Sequence, residues 1–284
     1  MILFKHFLIT LFNVRLWDVD KKNNPTRTDE WMEDRFDMFE KFCLPSVAAQ
    51  SNRNFIWICL FDSETPQKYI DRINSFRERV PMLTPCLTDI VGREALVPAI
   101  NEIISGYVSP DDRYVITTNL DNDDAIRYDM IERLQSLIGE DSANKIYSLN
   151  LGYQYFASMK LAIKMKYPHN HFLTLVEPAG QEYKTILGFS HVKARKLYTP
   201  VDIMETPYWI EFVHGNNVNN DIRITSRIKY YPIFRSVDFG GFGLNISLTG
   251  RRNTFNSLVR FPAIWLCRLF NRINRKIRKL AQKS

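Results

Sequence analysis

Closely spaced cysteines are absent from this sequence. The 284 residues contain only four cysteines, which are spread widely along the chain: Cys43, Cys59, Cys86 and Cys267. Zinc sites and CxxC redox motifs need cysteines at short spacing, so the sequence supports neither. A few scattered cysteines are typical of proteins in a reducing compartment, and we therefore expect a cytoplasmic protein.

Long apolar stretches are missing as well. No run of about 18 consecutive apolar residues occurs, so no membrane-spanning helix is predicted. The apolar residues 1–16 are interrupted by polar side chains and lack a small-residue cleavage site, which favours a first strand over a signal peptide. The chain is nevertheless 45% hydrophobic and 13% aromatic. That composition excludes global disorder and indicates a sizeable core.

Acidic residues are absent from the last part of the chain. No Asp or Glu follows Asp238, whereas ten of the 38 Lys and Arg residues lie within 251–284. Without those ten, 28 basic residues face 31 acidic ones, so the formal charge of +7 combines a body of −3 with a tail of +10. Because a basic excess favours anionic partners, we expect such a partner at the tail rather than at the body.

The tail, residues 251–284, has the pattern of an amphipathic helix. Apolar residues recur along one helical face from Pro262 to Leu280, and basic residues occupy the other face. This pattern, with Trp and Leu on the apolar face, is typical of membrane-surface binding, and predicts a protein held peripherally on the inner face of the membrane. Two alternatives remain open: a helix packed on the body, and a nucleic-acid-binding arm. The arm leaves the apolar stripe unexplained, so we predict no nucleic-acid partner.

The body shows strand and helix patterns in alternation. Residues 7–12, 55–61 and 113–119 predict strands, and residues 28–50, 92–105 and 125–138 predict helices, with Thr28 or Asp29 as the first N-cap and a kink or end at Pro45. Residues 145–155, 167–176 and 185–191 predict shorter, partly antiparallel strands. The pattern predicts an α/β fold with a Rossmann-type, mostly parallel sheet flanked by helices, over one domain of residues 1–245 with halves of about 1–140 and 141–245.

An acidic turn follows the strand predicted at 113–119. Asp121-Asn122-Asp123-Asp124 places three carboxylates within four residues. Carboxylates at this density repel one another unless a cation compensates, and oxygen ligands suit Mg²⁺ or Mn²⁺. The alternative is an exposed turn in which Asp124 caps the next helix. The buried strand before the turn favours a metal site, because ligands bind at the carboxyl ends of strands in such sheets.

A strand that ends in Leu-Asp-Asn-Asp-Asp and leads into a helix is similar to the Asp-x-Asp element of GT-A-type glycosyltransferases. The chain resembles, over about residues 1–245, the rhamnosyl transferase family of bacterial surface-polysaccharide synthesis. Five further segments carry the resemblance: Phe7-Leu-Ile-Thr-Leu-Phe-Asn-Val-Arg15, Phe42-Cys-Leu-Pro-Ser46, Asn54-Phe-Ile-Trp57, Phe61-Asp-Ser-Glu-Thr-Pro66 and Trp209-Ile-Glu-Phe-Val-His-Gly-Asn216. The sugar name comes with the family and cannot be derived from these residues.

The resemblance implies a GT-A-like fold and a metal-dependent transfer of a sugar from a nucleotide-sugar donor to a glycan or lipid-linked glycan acceptor. Asp121 and Asp123 are implied to hold Mn²⁺ or Mg²⁺ and the donor, and Asp124 to help position the metal. His214 follows an apolar strand and precedes Gly-Asn-Asn, where such enzymes place a further metal ligand or phosphate contact. His169 and His171 flank Asn170 in a predicted loop, and we expect both to be exposed.

The resemblance also implies a set of donor contacts. Asp62 closes the second strand and is expected to contact the nucleoside. Arg93 opens the helix before the acidic turn, where it is expected near the diphosphate. Asn13 and Arg15 follow the first strand and are expected to border the nucleotide.

Glu177, at the end of an apolar strand in the acceptor half, is the candidate base for the acceptor hydroxyl. A structural role as a strand-end surface acid is the alternative. The whole chain is thus expected to be a glycosyltransferase; a non-catalytic membrane-surface scaffold and a nucleic-acid-binding protein are the competing hypotheses.

Overall fold

The computed structural model describes residues 2–19, 24–180, 182–213, 225 and 227–281. In chain order its strands are β1 (Phe4–Leu11), β2 (Ile56–Asp62), β3 (Leu83–Thr88), β4 (Tyr114–Asn119), β5 (Ala125–Ile126), β6 (Lys145–Leu149), β7 (Leu151–Phe156), β8 (Leu161–Lys166), β9 (Thr174–Pro178), β10 (Thr199–Ile203), β11 (Trp209–Val213), β12 (Lys229–Pro232), β13 (Val237–Asp238) and β14 (Ser247–Leu248). Its α-helices are α1 (Asp29–Met38), α2 (Leu44–Ala48), α3 (Gln67–Arg79), α4 (Leu96–Ser105), α5 (Met130–Ser136), α6 (His191–Leu197), α7 (Gly250–Phe255) and α8 (Phe261–Ala281). Two π-helical turns, Phe39–Cys43 and Asn256–Arg260, join α1 to α2 and α7 to α8.

The central sheet has the strand order β10-β6-β9-β4-β1-β2-β3. Its strands run in one direction except β9, which pairs antiparallel with both β4 and β6. The predicted α/β fold with a mostly parallel central sheet flanked by helices is therefore confirmed. Because β1, β2 and β4 are parallel neighbours, the residues that follow them meet at one edge of the sheet.

Aromatic packing attaches the first helices to this sheet. Phe36 lies with its ring centroid 4.5 Å from that of Phe12 and 5.1 Å from that of Tyr69, and Phe39 packs 5.5 Å from Trp57. Burying each of these rings stabilises the fold by about 2 kcal/mol. This packing holds α1, and with it Arg35, against the edge where β1 and β4 end.

A second sheet, β12-β8-β7-β11-β5, covers the other side of the acidic turn. β11 lies between β7 and the edge strand β5, and the ring of Trp209 lies directly over Gly152 of β7. The Trp209 indole N–H donates to the Leu149 carbonyl at 2.7 Å, and the ring stacks on Phe172 at 4.9 Å. These contacts place β11 beside the residues that follow β4.

Several predicted elements differ in the structure. Residues 125–138 do not form one helix, because Ala125 and Ile126 pair antiparallel with β11 before α5 begins. Residues 145–155 divide at Asn150 into β6 and β7, which belong to different sheets. Residues 185–191 form a 3₁₀ turn and the start of α6 rather than a strand. Of the strand predicted at 167–176, residues 167–173 form a loop, and the strand β9 begins only at Thr174. At Ala125 and Ile126, tertiary pairing overrides local propensity.

The first helix agrees better with its prediction. The Thr28 hydroxyl accepts a hydrogen bond from the Trp31 amide at 3.2 Å, so Thr28 is the N-cap. Pro45 does not end the helical segment. It lies in the first turn of α2, after the π-helical turn, where its missing N–H is tolerated.

The first residues of the tail pack against the body. Asn253, Asn256 and Ser257 are buried, and the Asn253 side chain bonds to the main chain of both Ala162 and Ile233. From Phe261 onward α8 extends to Ala281. Among the described residues, no helix is long and apolar enough to cross a membrane.

Candidate metal and donor site

The acidic turn is anchored at the edge of the central sheet. The Leu120 amide donates to the Ile9 carbonyl at 3.0 Å, and the Asn122 side chain donates to the Phe12 carbonyl at 3.1 Å. The Asn119 side chain donates to Asp121 Oδ1 at 3.2 Å and to the His171 carbonyl at 3.0 Å. The turn therefore has a position set by β1, β4 and the loop before β9.

Asp124 points into the protein and meets His171. Asp124 is 0% exposed, and its Oδ2 lies 2.5 Å from His171 Nε2. Its other oxygen accepts from the Phe212 amide of β11 at 3.0 Å. Asp124 precedes a strand rather than a helix, so the alternative in which it caps a helix is wrong.

The expectation that His171 is exposed is also wrong, since only 7% of its surface is accessible. β9 runs antiparallel to β4, so the residues before β9 arrive at the edge where β4 ends. The sequence carried one signal for this position, a histidine directly before an apolar strand. The direction of that strand, which decides where the histidine lies, could not be derived from the pattern.

The charges around His171 determine its protonation. Burial alone would lower the pKa of His171, but the carboxylates of Asp121 and Asp124 raise it to about 9, and buried Glu211 adds to the effect. Burial and the neighbouring carboxylates of Asp123 and Asp121 raise the pKa of Asp124, whereas its hydrogen bond with His171 lowers it. A bound cation would relieve the repulsion among these carboxylates.

Asp121, Asp124 and His171 form a group that fits a divalent cation. Each offers one ligand atom, and these atoms all lie within 4.8 Å of one another. Two carboxylate oxygens and an imidazole nitrogen are a donor set that first-row divalent ions accept. Asp123 lies outside this group and faces Arg35, at 3.2 Å from its guanidinium Nη1. A metal role for Asp123 stays a prediction.

Arg35 was not predicted as a site residue. It is only 8% exposed, and besides Asp123 it donates to Asn122 Oδ1 at 3.1 Å. Its guanidinium also lies 5.1 Å from the centroid of the Trp31 ring. Arg35 is placed by the aromatic packing of α1, which no local sequence pattern reveals.

The structure brings three predicted donor residues together. Asp62 Oδ2 lies 3.2 Å from Arg15 Nε, and Asn13 Oδ1 accepts from the Asp62 amide at 3.1 Å. The Asn13 side-chain N–H donates to Thr65 Oγ1 at 3.0 Å. These residues follow β1 and β2, so they lie at the same sheet edge as the acidic turn.

A cleft of about 160 Å³ connects the two groups. Asn13 lies in its wall together with Asp121 and Asp123, and tryptophan rings supply part of its apolar surface, Trp17 and Trp31. Arg93 does not line the cleft, but its guanidinium lies 5.4 Å from the Trp17 ring centroid. The cleft thus combines carboxylates, flat aromatic surface and nearby cations.

Glu177 lies elsewhere. It pairs with Val115 near the start of β4, at the edge of the sheet opposite to the acidic turn. Both carboxylate oxygens accept main-chain hydrogen bonds, from Lys184 at 2.8 Å and from Thr185 at 3.0 Å. Burial raises its pKa, although these amides oppose the shift. The structure therefore does not bring Glu177 to the cleft. His214 lies outside the described residues.

The sequence and the fold were compared with those of known proteins. The family model described as "Putative rhamnosyl transferase" matches residues 4–226. The chain belongs to this family. The resemblance seen in the sequence is confirmed.

A solved structure of S. aureus TarS, residues 1–349, is similar to the chain with 11% sequence identity and a TM-score of 0.43. The similarity covers 73% of this chain and 60% of the TarS chain, less than two thirds of that structure. No curated protein matches this member of the rhamnosyl transferase family.

Proposed function

We propose that this chain is a metal-dependent glycosyltransferase that moves a sugar from a nucleotide-sugar donor to a glycan or lipid-linked glycan acceptor. The observation that carries the proposal is the group of Asp121, Asp124 and His171 beside a cleft at the carboxyl edge of the sheet. Membership in the rhamnosyl transferase family supports rhamnose as the sugar.

The metal is proposed to be Mn²⁺ rather than Mg²⁺. Mg²⁺ binds through oxygen ligands, whereas Mn²⁺ also accepts the imidazole nitrogen that His171 offers. When bound there, the ion would supply a Lewis acid that stabilises the charge of the departing diphosphate. Asp124 Oδ1 accepts from the Phe212 amide, so Oδ2 is the ligand atom that Asp124 would offer to the ion.

The cleft is proposed to bind the donor. Its tryptophan rings offer stacking surface to a nucleobase, a contact worth about 1–3 kcal/mol. Asn13 in the wall of the cleft and Asp62, whose amide donates to Asn13, supply polar groups for the nucleoside, and Arg93 supplies a cation beside Trp17. Arg35 holds Asp123 in the wall of the cleft and adds positive charge near the phosphates.

Glu177 has no catalytic role in this proposal. Both of its oxygens are bound to main-chain amides, and it lies at the opposite sheet edge. It is proposed to hold the turn at residues 184–185 instead.

The test is a thermal-shift and calorimetric titration with UDP and dTDP, each with and without Mn²⁺. Stabilisation that needs both nucleotide and metal is expected. Asp121→Asn should abolish the metal-dependent part, whereas Asp141→Asn, an exposed acid outside the site, should leave it unchanged. Equal nucleotide binding with and without Mn²⁺ in the unaltered chain would favour the non-catalytic scaffold.

The tail is proposed to attach the protein to a membrane surface, so that the enzyme is peripherally bound to the membrane. Apolar residues of α8 remain exposed, Leu266 by 47%, Ile273 by 43% and Ile277 by 57%. Basic residues near anionic lipid contribute about 1 kcal/mol each. Since Asn253 and Asn256 bind the body, the informative truncation removes 266–284 only. It should shift the protein from the membrane to the soluble fraction, and unchanged partitioning would contradict this role.

A further inference from the structure

An apolar groove of about 560 Å³ lies between β12 and the helices of the tail. Its walls include side chains from both sides: Ile228, Tyr230, Phe234, Leu258, Phe261 and Trp265. The residues that line the groove are distant in sequence from those that line the cleft, and no residue lines both. It is therefore a separate feature that the proposed transfer reaction does not use.

The groove is held in place by buried polar contacts. Asn253 donates to the Ile233 carbonyl at 2.9 Å, and Ser257 donates to the same carbonyl at 3.0 Å. Asn256 donates to the Met159 carbonyl at 3.0 Å. These bonds fix the π-helical turn Asn256–Arg260 against the segment after β12, so the groove has a defined shape.

The lip of the groove is apolar and open to solvent. Phe234 is 58% exposed and Leu258 is 60% exposed. Half of the exposed large hydrophobic side chains among the described residues fall between residues 231 and 277. Large apolar patches on a folded surface mark sites of association with another apolar phase.

Basic residues lie close in sequence to the lining residues of the groove, in both segments of the chain that form it. Exposed basic residues flank β12 as well as the start of the tail: Arg227, Lys229, Arg235, Arg251, Arg252 and Arg260. Asp238 is the only acidic residue of the sequence from 225 onward. An apolar groove with a rim of one sign is complementary to a molecule that has an apolar chain and an anionic head.

We propose that this groove binds one acyl chain of an anionic phospholipid, with the headgroup phosphate against the basic rim. The inference rests on the membrane attachment proposed above and extends it. The lipid is withdrawn into a defined site on the body, in addition to the contact that α8 makes with the surface of the bilayer.

The test uses the fluorescence of Trp265, which lines the groove. The full chain is mixed with vesicles of phosphatidylglycerol whose acyl chains carry bromine, a contact quencher, and with unbrominated vesicles. We expect quenching by the brominated vesicles, which Trp265→Phe should largely remove, because Trp57 and Trp209 are fully buried and Trp17 and Trp31 line the cleft rather than the groove. Phosphatidylcholine vesicles with the same brominated chains should quench much less.

Two variants distinguish lipid binding in the groove from lipid binding elsewhere on the surface. Phe234→Ser combined with Leu258→Ser removes two exposed apolar side chains of the lip and should weaken binding about tenfold. Leu197→Ser, a 58% exposed leucine outside the groove, should leave quenching unchanged.

Three results would overturn the proposal. The first is vesicle binding without quenching of Trp265, which would mean that α8 alone contacts the lipid. The second is equal quenching by neutral and anionic vesicles. The third is a concentration-dependent dimer that the double variant abolishes, which would assign the groove to a second copy of this chain. Mn²⁺-dependent nucleotide binding is measured in parallel, so failure of the lipid site and failure of the proposed transfer reaction are distinguishable.

Discussion

His171 Nε2 lies 2.5 Å from Asp124 Oδ2, although the two residues are 47 positions apart in the chain. Asp121 Oδ2 lies 3.7 Å from the same nitrogen. Two strands produce this arrangement, because β4 delivers the acidic turn and the antiparallel β9 delivers the histidine to the same edge. The candidate metal group therefore depends on the one strand that breaks the parallel pattern of the sheet.

Replacing the histidine should remove metal binding and stability together. His171→Ala eliminates one of three ligands and leaves Asp124 as a buried carboxylate without its imidazole partner, which costs about 3–5 kcal/mol. We expect Mn²⁺-dependent stabilisation to disappear and the urea midpoint of the metal-free protein to fall. His169→Ala, two residues away and outside the group, is the matched control and should retain metal binding.

Metal affinity should rise with pH. His171 binds a cation only as neutral imidazole, and its pKa is raised to about 9. Below that value, each metal ion must displace a proton, so the apparent affinity for Mn²⁺ should increase about tenfold per pH unit. Calorimetry between pH 6.5 and 8.5 measures the slope. A flat profile would contradict the assignment of His171 as a ligand.

The metal-free protein should show the opposite trend in stability. The pKa of His171 in the folded protein, about 9, lies above the ordinary histidine pKa of 6.5. Its contribution, about 3 kcal/mol, is therefore fully present below pH 6.5 and is lost as the pH rises through 9. Urea unfolding in the presence of a chelator should show this decline, and His171→Ala should flatten it.

Arg35 should support the donor site through the acidic turn. Arg35→Lys keeps the charge but replaces the planar guanidinium, whose Nη1 donates to Asn122 and Asp123 and which lies over the Trp31 ring, by a compact ammonium. We expect weaker nucleotide binding in the presence of Mn²⁺ by about tenfold, the equivalent of 1.4 kcal/mol. Arg77→Lys, an exposed arginine of α3, should bind nucleotide normally. Equal affinities in the two variants would show that Arg35 has no positioning role.

Gly152 should resist substitution. A Cβ atom at this position would lie 2.2 Å from the ring of Trp209, which is itself fully buried and hydrogen-bonded. Gly152→Ala should therefore displace β11 and destabilise the fold by about 3 kcal/mol. Gly139→Ala has no heavy atom within 4 Å of its new Cβ, so its unfolding midpoint should stay close to that of the unaltered protein.

Local pattern was sufficient for the parallel part of the fold. The apolar runs of β1, β2 and β4 predict strands buried on both faces, and polar residues follow directly at their ends. Because parallel strands end at one edge, the sequence could place Asn13, Asp62 and Asp121 near one another before any coordinates existed. The family resemblance rests on the same segments.

Local pattern was not sufficient where long-range pairing decides the structure. Ala125 and Ile126 follow the acidic turn with residues that suit a helix, yet they pair with β11. Glu177 ends an apolar strand like Asp62 does, but the antiparallel direction of β9 carries it to the opposite edge.

The α/β class, the acidic turn at the end of a buried strand and the division into an acidic body and a basic tail follow from the order of the residues alone. Three-dimensional packing was needed to show that His171 and Asp124 complete the group with Asp121, that Arg35 faces Asp123, and that the tail closes an apolar groove with β12. Composition and periodicity depend on neighbouring residues, whereas these contacts depend on strand direction and on packing between distant segments.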